Sequence, residues 1–493
     1  MARENDEIYS HVLKFTGLFG GVQGLNVLIG LVRNKFVALL LGPGGMGLVS
    51  LFNTTVQLIS QATHLGISFS AVRHISEYYD AGDMEKAAHY VKVVRGWCLL
   101  TALLGMLLCV VLGPFLSNTT FAWGNHTLHF VLLAPAVGMI AVTGGETAIL
   151  KGQRKLGALA LVQIVAALAS LVISIPIYCF FWQAGIVPVI VLMAFVTMCA
   201  TLWFSLRIFP LQLSGARGIL GEGMEMVRLG VAFTLAGIVG SLAEMVVRSY
   251  LNVVANLDVL GLYNAGYMLT ITYAGMVFSA METDFFPRLS GVNNDIEATN
   301  YTVNRQMEVS LLIVAPMLTA LIALLPVLIP QLFTSEFLPV VPMAQVTALA
   351  MFFKVLTLPV AYITLARGYS MSYLMLESAY FVVFVLLVVL GYQHLGLLGT
   401  GVAITLAHVF DYLMINLYAY KKYGYRVSVT VSRYAVVLLS LGFLAYACTI
   451  LLDGIVYWIV ELIVVLASGL FSLQILRKKT HLWQALIRRF RKG

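Results

Sequence analysis

The residues of this sequence best equipped for chemistry are ionisable side chains placed inside long apolar runs: Arg33, Lys35, Glu146, Glu244, Arg248, Glu282, Asp284, Lys354, Glu377, His408, Asp411 and Glu461. A charged side chain at the centre of a lipid-exposed helix costs about 2.5 to 3.5 kcal/mol on insertion scales, so such groups face a partner or a wet cavity. Arg33 stands ten residues before Pro43, about 15 Å of helix, too deep to reach water easily. Arg248 is at similar depth. Lys354, in LAMFFKVLTLPVAY, lies about a dozen residues from either end of its run and is the deepest cation in the chain. Facing one another across a cleft, the guanidiniums of Arg33 and Arg248 would form a fork suited to phosphate oxygens, with Lys354 a further deep cation.

Each candidate also has a plainer role open to it. Glu244 and Arg248 are four residues apart on one helical face and can pair, and Lys354 can pair with Glu377 or Asp411. Arg33 and Lys35 are about 200° apart around a helix and cannot point the same way, so at least one of the two is structural or snorkels to the interface. Glu377, His408 and Asp411 are candidates for a proton or cation relay, or for pairing within their own lobe. Glu282 and Asp284 near Arg288, and Glu146 near Lys151, read as interfacial salt bridges.

The elements that hold these residues follow from composition. Of 493 residues 60% are hydrophobic and 11% charged, against about 25% charged in a soluble domain, and the mean hydropathy is +0.93. A soluble fold is excluded. Cutting at charges and at Pro, Gly and Asn clusters gives about fourteen spans: 15–41, 46–72, 88–112, 128–150, 157–181, 187–206, 226–254, 260–286, 308–332, 342–366, 371–392, 397–419, 434–452 and 456–476. One set of alternate connections carries Arg73, Lys86, Lys151, Arg154, Lys155, Arg207, Arg217, Arg288, Arg305, Arg367, Lys421, Lys422 and Arg426. The other carries only Asp258, Glu336 and Asp453 as charges. Basic loops stay in the cytoplasm, so both termini are expected there and the net charge of +8 reflects topology, not nucleic-acid binding. The first polar stretch lacks the features of a signal peptide, so the first span is expected to stay in the mature protein. The five cysteines all lie in apolar runs without metal-ligand or disulfide spacing.

Landmarks recur about 215 residues apart. Val32-Arg33 answers Val247-Arg248, Gly47-Leu48 answers Gly261-Leu262, Arg73 with Ser76 answers Arg288 with Ser290, Pro114 answers Pro330, and Lys151-Gly152 answers Arg367-Gly368. The expected architecture is an all-α polytopic membrane protein with two six-helix lobes, 1–210 and 211–425, related by a pseudo-twofold axis along the membrane normal with a central cleft. Residues 426–476 add two helices. The tail 477–493 sets Leu482, Trp483, Leu486, Ile487 and Phe490 on one stripe among basic residues, an amphipathic helix for an anionic leaflet. Glycines in the first two spans, with GPGGMG between them, suit either flexing or close helix packing.

Enzymatic chemistry finds no support: there is no GxxxxGK[ST], HExxH or GxSxG pattern and no long loop to house a catalytic centre. No cofactor or metal is expected.

The runs GLVRNKFVALLLGPGGMGLVSLFN and VVRSYLNVVANLDVLGLYN, the LKGQRK turn, and TSEFLPVVPMAQVTALAMFFKVLTLPVAYITLARG resemble the polysaccharide transporter branch of the multidrug, oligosaccharidyl-lipid and polysaccharide exporter superfamily. More narrowly, they resemble Wzx-type flippases of O-antigen or enterobacterial common antigen, over about residues 10 to 425. The resemblance implies translocation of an undecaprenyl-diphosphate-linked oligosaccharide across a bacterial inner membrane by alternating access. It also implies a cationic cleft, membrane lipid and glycan-assembly proteins as partners, no nucleic acid, and a monomer. Carried onto this chain, the family's lysine before the first GP turn falls on Lys35, the span-seven arginine on Arg248 and the span-ten lysine on Lys354, whereas the internal repeat favours Arg33 over Lys35. Two rival readings are a cation-coupled drug antiporter of the same superfamily, for which Glu244, Glu377 and Asp411 would matter, and a membrane-embedded glycan polymerase or glycosyltransferase, which would need a larger external loop.

Overall fold

The computed structural model describes residues 2–121, 124–211, 219–292 and 294–479; the amphipathic stripe expected over 482–490 lies outside them. Among the described residues there are only helices and turns: α1 (Ala2–Thr63), α2 (Ile67–Asp80), α3 (Met84–Thr120), α4 (Thr127–Gly152), α5 (Leu156–Phe181), α6 (Ile186–Ile208), α7 (Ile219–Val254), α8 (Leu257–Tyr267), α9 (Tyr273–Gly291), α10 (Ile296–Leu332), α11 (Val341–Ala366), α12 (Ser370–Tyr423), α13 (Val429–Leu451) and α14 (Gly454–Lys479). This is what lipid imposes. A helix satisfies its own backbone hydrogen bonds where no water can, and its apolar side chains can face outward, as Leu99, Leu103, Leu107 and Val111 do along one stripe of α3.

Among the described residues, ten helical segments are long and apolar enough to cross a membrane. Three of them, 24–63, 157–208 and 370–423, span 40, 52 and 54 residues; at 1.5 Å per residue even the shortest is about twice the 30 Å hydrocarbon core. Each is broken. Gly42 (φ 65°, ψ −174°) precedes Pro43 in α1, where a left-handed glycine and a residue without N–H end one helix and start the next. Trp182 (φ 51°) and a single 3₁₀ turn separate α5 from α6. Gly396 (φ 58°, ψ −139°) breaks α12, and the chain doubles back there: a Cβ on Gly391 would stand 2.3 Å from the carbonyl oxygen of Gly399. The sequence reading of fourteen passes takes each broken segment as two and adds the stretch 257–291, which is interrupted by a π-helical turn over Met268–Thr272.

The chain forms two compact units, Met1–Asn264 with Leu332–Thr334, and Ala265–Gln331 with Ser335–Gly493. The first includes α7, which packs against α1, α2 and α3. The division at 210 is a separate proposal about internal symmetry.

Within the first unit the second span ends earlier than its apolar run. The helix stops at Thr63, left-handed Gly66 (φ 68°) turns the chain, and α2 begins at Ile67. Ile67, Ala71 and Ile75, four apart, are buried against Val91, Val94, Ala148 and Ile149 of α3 and α4, so the segment 67–72 is the buried face of a separate helix and not the end of a membrane pass.

Positions matched by the repeat also touch. A Cβ on Gly47 would lie 2.4 Å from the Leu257 carbonyl oxygen, and one on Gly261 would lie 1.8 Å from that of Pro43. The two contacts map onto each other under one 214-residue offset, 47 onto 261 and 43 onto 257, with roles exchanged. A third, Ser50 Oγ to Asn264 Oδ1 at 2.8 Å, joins two residues at that offset directly. Reciprocal contacts of this kind are what a twofold relation produces, and they explain why glycine stands at 47 and 261: any side chain would force the two backbones apart.

In the second unit α11 is the central element. Nearly every residue from Val341 to Thr364 is buried, with Lys354 half-buried among them. Both legs of α12 supply its surroundings.

Candidate functional site

In the first unit, α7 brings Arg248 into a buried polar cluster where the residue is 6% exposed. Its Nε donates to Ser50 Oγ at 2.9 Å, and Nη1 donates to Glu244 Oε2 at 3.0 Å and to the Glu244 main-chain oxygen at 3.3 Å. Ser50 in turn donates to Asn264. The four-residue spacing of Glu244 and Arg248 thus makes the ion pair that helical geometry permits, so the Arg248 charge is offset on its own helix.

Arg33 and Lys35 diverge as their spacing requires. The Lys35 ammonium donates to the main-chain oxygen of Phe333, which belongs to the same unit. Arg33 lies beside the Tyr178 hydroxyl of α5, and its Nε is buried with no hydrogen-bond partner among the described residues. Lys35 is therefore held by backbone, while Arg33 keeps an unspent donor.

In the second unit, Lys354 of α11 meets both legs of α12. The first leg supplies Glu377 and Tyr380, three apart and so on one face; the second supplies His408 and Asp411, again three apart. The Lys354 ammonium stands 6.0 Å from the centre of the Tyr380 ring, at the outer limit of a cation–π contact. His408 and Asp411 are each 4% exposed; Lys354 acts electrostatically on both, and Glu377 acts on Asp411. Even so, Lys354 makes no ion pair within 4 Å among the described residues. His408 is fixed by its own helix, Nδ1–H donating to the Ile404 carbonyl oxygen at 2.9 Å, with Tyr380 edge-on at 5.4 Å. The arrangement is a half-buried cation that the Asp411 carboxylate influences without capturing, so it retains capacity for an additional anion.

Glu461 is buried on α14, away from this group in sequence and element. Nothing is described of the side chains of Glu282 and Asp284. Glu146 is not paired with Lys151. Its carboxylate takes Arg95 of α3 in a two-pronged bridge, Nε to Oε1 at 2.7 Å and Nη2 to Oε2 at 3.1 Å. Ser205 Oγ also donates to it, and Arg95 Nη1 donates to the Phe209 carbonyl oxygen at 3.0 Å. Arg95 stands well inside the apolar run 88–112, so an arginine at that depth facing an acid in the next span was the available signal. Ser50 and Asn264 were readable from the repeat offset alone.

The fold of this all-helical, multi-pass chain is similar to that of solved transporters of the multidrug, oligosaccharidyl-lipid and polysaccharide (MOP) superfamily. The chain aligns with a multidrug resistance MATE family transporter of that superfamily in an inward-facing conformation (TM-score 0.64, 16% identity, 83% of this chain and 98% of the other). It also aligns with the lipid II flippase MurJ in an inward closed conformation (0.66, 15%, 94% and 99%). A MOP superfamily transporter from Pyrococcus furiosus, described as having a binding pocket of reverse polarity, aligns at 0.58 with 17% identity over 83% and 94%. At these identities the likeness establishes the fold. No curated protein matches the sequence. Residues 12–292 match the model of the polysaccharide biosynthesis protein family, more than half of the chain, and the protein belongs to that family.

Proposed function

We propose that this protein is a flippase that carries a polyprenyl-diphosphate-linked oligosaccharide from the cytoplasmic to the external leaflet of a bacterial inner membrane by alternating access. The observation that carries this reading is Lys354, a half-buried cation in the middle of α11 with no carboxylate in ion-pair range among the described residues. A lipid-facing protein keeps such a charge only at a cost, and a diphosphate is the anion that a polysaccharide-pathway lipid presents. Membership of the polysaccharide biosynthesis family and a fold shared with a lipid II flippase support the substrate class.

In this reading Lys354 contacts the anionic headgroup during the cycle, and Arg33, with its unspent donor, is a separate candidate cation. Arg248 is held ready by Glu244, and Lys35 is structural. The prenyl tail stays in lipid, and no covalent bond changes. The near absence of charge from alternate connections favours both termini in the cytoplasm. Glu377, His408 and Asp411 are the groups through which a proton or cation gradient would act. The closeness of Glu377 and Asp411 also favours a second reading, a cation-coupled exporter of small molecules with the same fold.

Deleting the gene and identifying the lipid-linked glycan that accumulates on the cytoplasmic side separates the two. The flippase reading expects a complete repeat unit on its polyprenyl diphosphate, trapped inside, with surface glycan lost. Normal surface glycan together with sensitivity to small toxic cations would replace it with the exporter.

A further inference from the structure

A second group of cations lies where α12 begins and ends. Because α12 doubles back at Gly396, with legs of nearly equal length (370–395 and 397–423), its first and last turns come level with each other and with the turn that ends α11. That turn carries Arg367, left-handed Gly368 (φ 76°) and Tyr369. The Arg367 guanidinium sits 4.9 Å over the Tyr423 ring, and the Lys422 ammonium sits 4.7 Å over Tyr369 and 5.6 Å over Tyr418. The tyrosines bind these faces together, with Tyr369 stacked on Tyr423 at 5.9 Å and Tyr418 edge-on to Tyr423 at 5.8 Å.

Neither cation has a carboxylate in ion-pair range among the described residues. Arg367 Nε is buried without a hydrogen-bond partner among them. Tyrosine faces orient cations but leave their charge unneutralised, so the group retains two positive charges and an unspent donor. Directly adjoining it, the first leg of α12 presents Met371, Met375, Val382 and Leu386 as an exposed apolar stripe at helical spacing. An acyl chain lying along that stripe places its headgroup at the cations.

We propose that Arg367, Lys422 and the rings of Tyr369, Tyr418 and Tyr423 form a binding cradle for the phosphate of an anionic phospholipid of the surrounding leaflet. The stripe argues for a lipid over a free ion, because a free phosphate has no use for it. Tyrosine and basic side chains together are also the chemistry of the membrane interface. This site stands apart from the Lys354 group, which lies mid-helix on α11, and it does not depend on the proposed transport substrate.

The test is lipid binding to the purified full-length protein in detergent, followed by native mass spectrometry. Phosphatidylglycerol is expected to bind more tightly than phosphatidylethanolamine. Arg367→Gln combined with Lys422→Gln is expected to weaken phosphatidylglycerol about 30-fold while leaving phosphatidylethanolamine unchanged, given the contribution of each of two basic residues at a membrane surface. Arg367→Lys with Lys422→Arg keeps both charges and is expected to retain the preference, which guards against misfolding of the glutamine variant. Lys421→Gln, an exposed neighbour outside the cradle, is expected to change nothing. Equal phosphatidylglycerol affinity in the wild type and the double glutamine variant would overturn the proposal. So would its full displacement by an equal concentration of inorganic pyrophosphate or of a polyprenyl diphosphate, which would assign the cradle to a free ion or to a carried lipid.

Discussion

Lys354→Ala is expected to reduce surface glycan by at least tenfold in a complementation assay while the protein stays inserted at its normal level. The size follows from what is removed. A hydrogen bond to a charged group contributes about 1.5 to 3 kcal/mol, which corresponds to about 10- to 100-fold in an equilibrium or rate. The protein is expected to survive because Lys354 is held in no ion pair among the described residues, so truncation breaks no bridge within the fold. Lys354→Arg should retain part of the activity: the charge remains, but a planar fork replaces a compact ammonium beside Tyr380. Wild-type glycan levels from Lys354→Ala, with comparable membrane content, would remove Lys354 from the transport path.

The largest effect on stability is expected at Arg95. Arg95 and Glu146 are 13% and 3% exposed and form a two-pronged bridge, and the same guanidinium reaches the Phe209 carbonyl oxygen at the end of α6. Arg95→Ala leaves a buried carboxylate with only Ser205 to serve it. Removing one partner of such a pair costs about 3 to 5 kcal/mol, whereas replacing both with apolar residues of similar volume is close to neutral. The single variant should therefore show a marked fall in thermal unfolding temperature and in membrane content, and Arg95→Met combined with Glu146→Leu should recover most of both. An unchanged unfolding temperature for Arg95→Ala would mean that the bridge does not tie α3, α4 and α6 together.

What could be read from the sequence was what short-range chemistry decides. The breaks at Gly42-Pro43 and Gly396 follow from residue types that end helices, and the 214-residue offset already pointed to the glycines that meet at 47 and 261. Helical period showed that Arg33 and Lys35 must part, and that Glu244 and Arg248 can pair. It did not show which of Arg33 and Lys35 would be spent, because Lys35 finds a main-chain oxygen at Phe333, and a backbone acceptor about 300 positions away leaves no mark in the sequence. Apolarity alone runs the second span on to 72, because ISFSAV gives no polar stop after the helix before it. A glycine in the left-handed region at 66 ends the helix, and that apolarity serves burial against α3 and α4 instead of lipid. Glu146 was assigned to Lys151 because the two are neighbours in sequence; the partner it takes is on another helix, 51 positions away.

The central claim is that a cation inside this helical protein receives the diphosphate of a lipid-linked glycan and that the protein moves that lipid between leaflets. The most direct measurement is translocation in proteoliposomes holding the purified full-length chain and a fluorescent oligosaccharide on a polyprenyl diphosphate, scored by quenching from outside. Transfer between leaflets should be fast with the wild type and at least tenfold slower with Lys354→Ala, and an otherwise identical lipid lacking the diphosphate should not be moved. Equal transfer of lipids with and without the diphosphate, or none above protein-free vesicles, would contradict it.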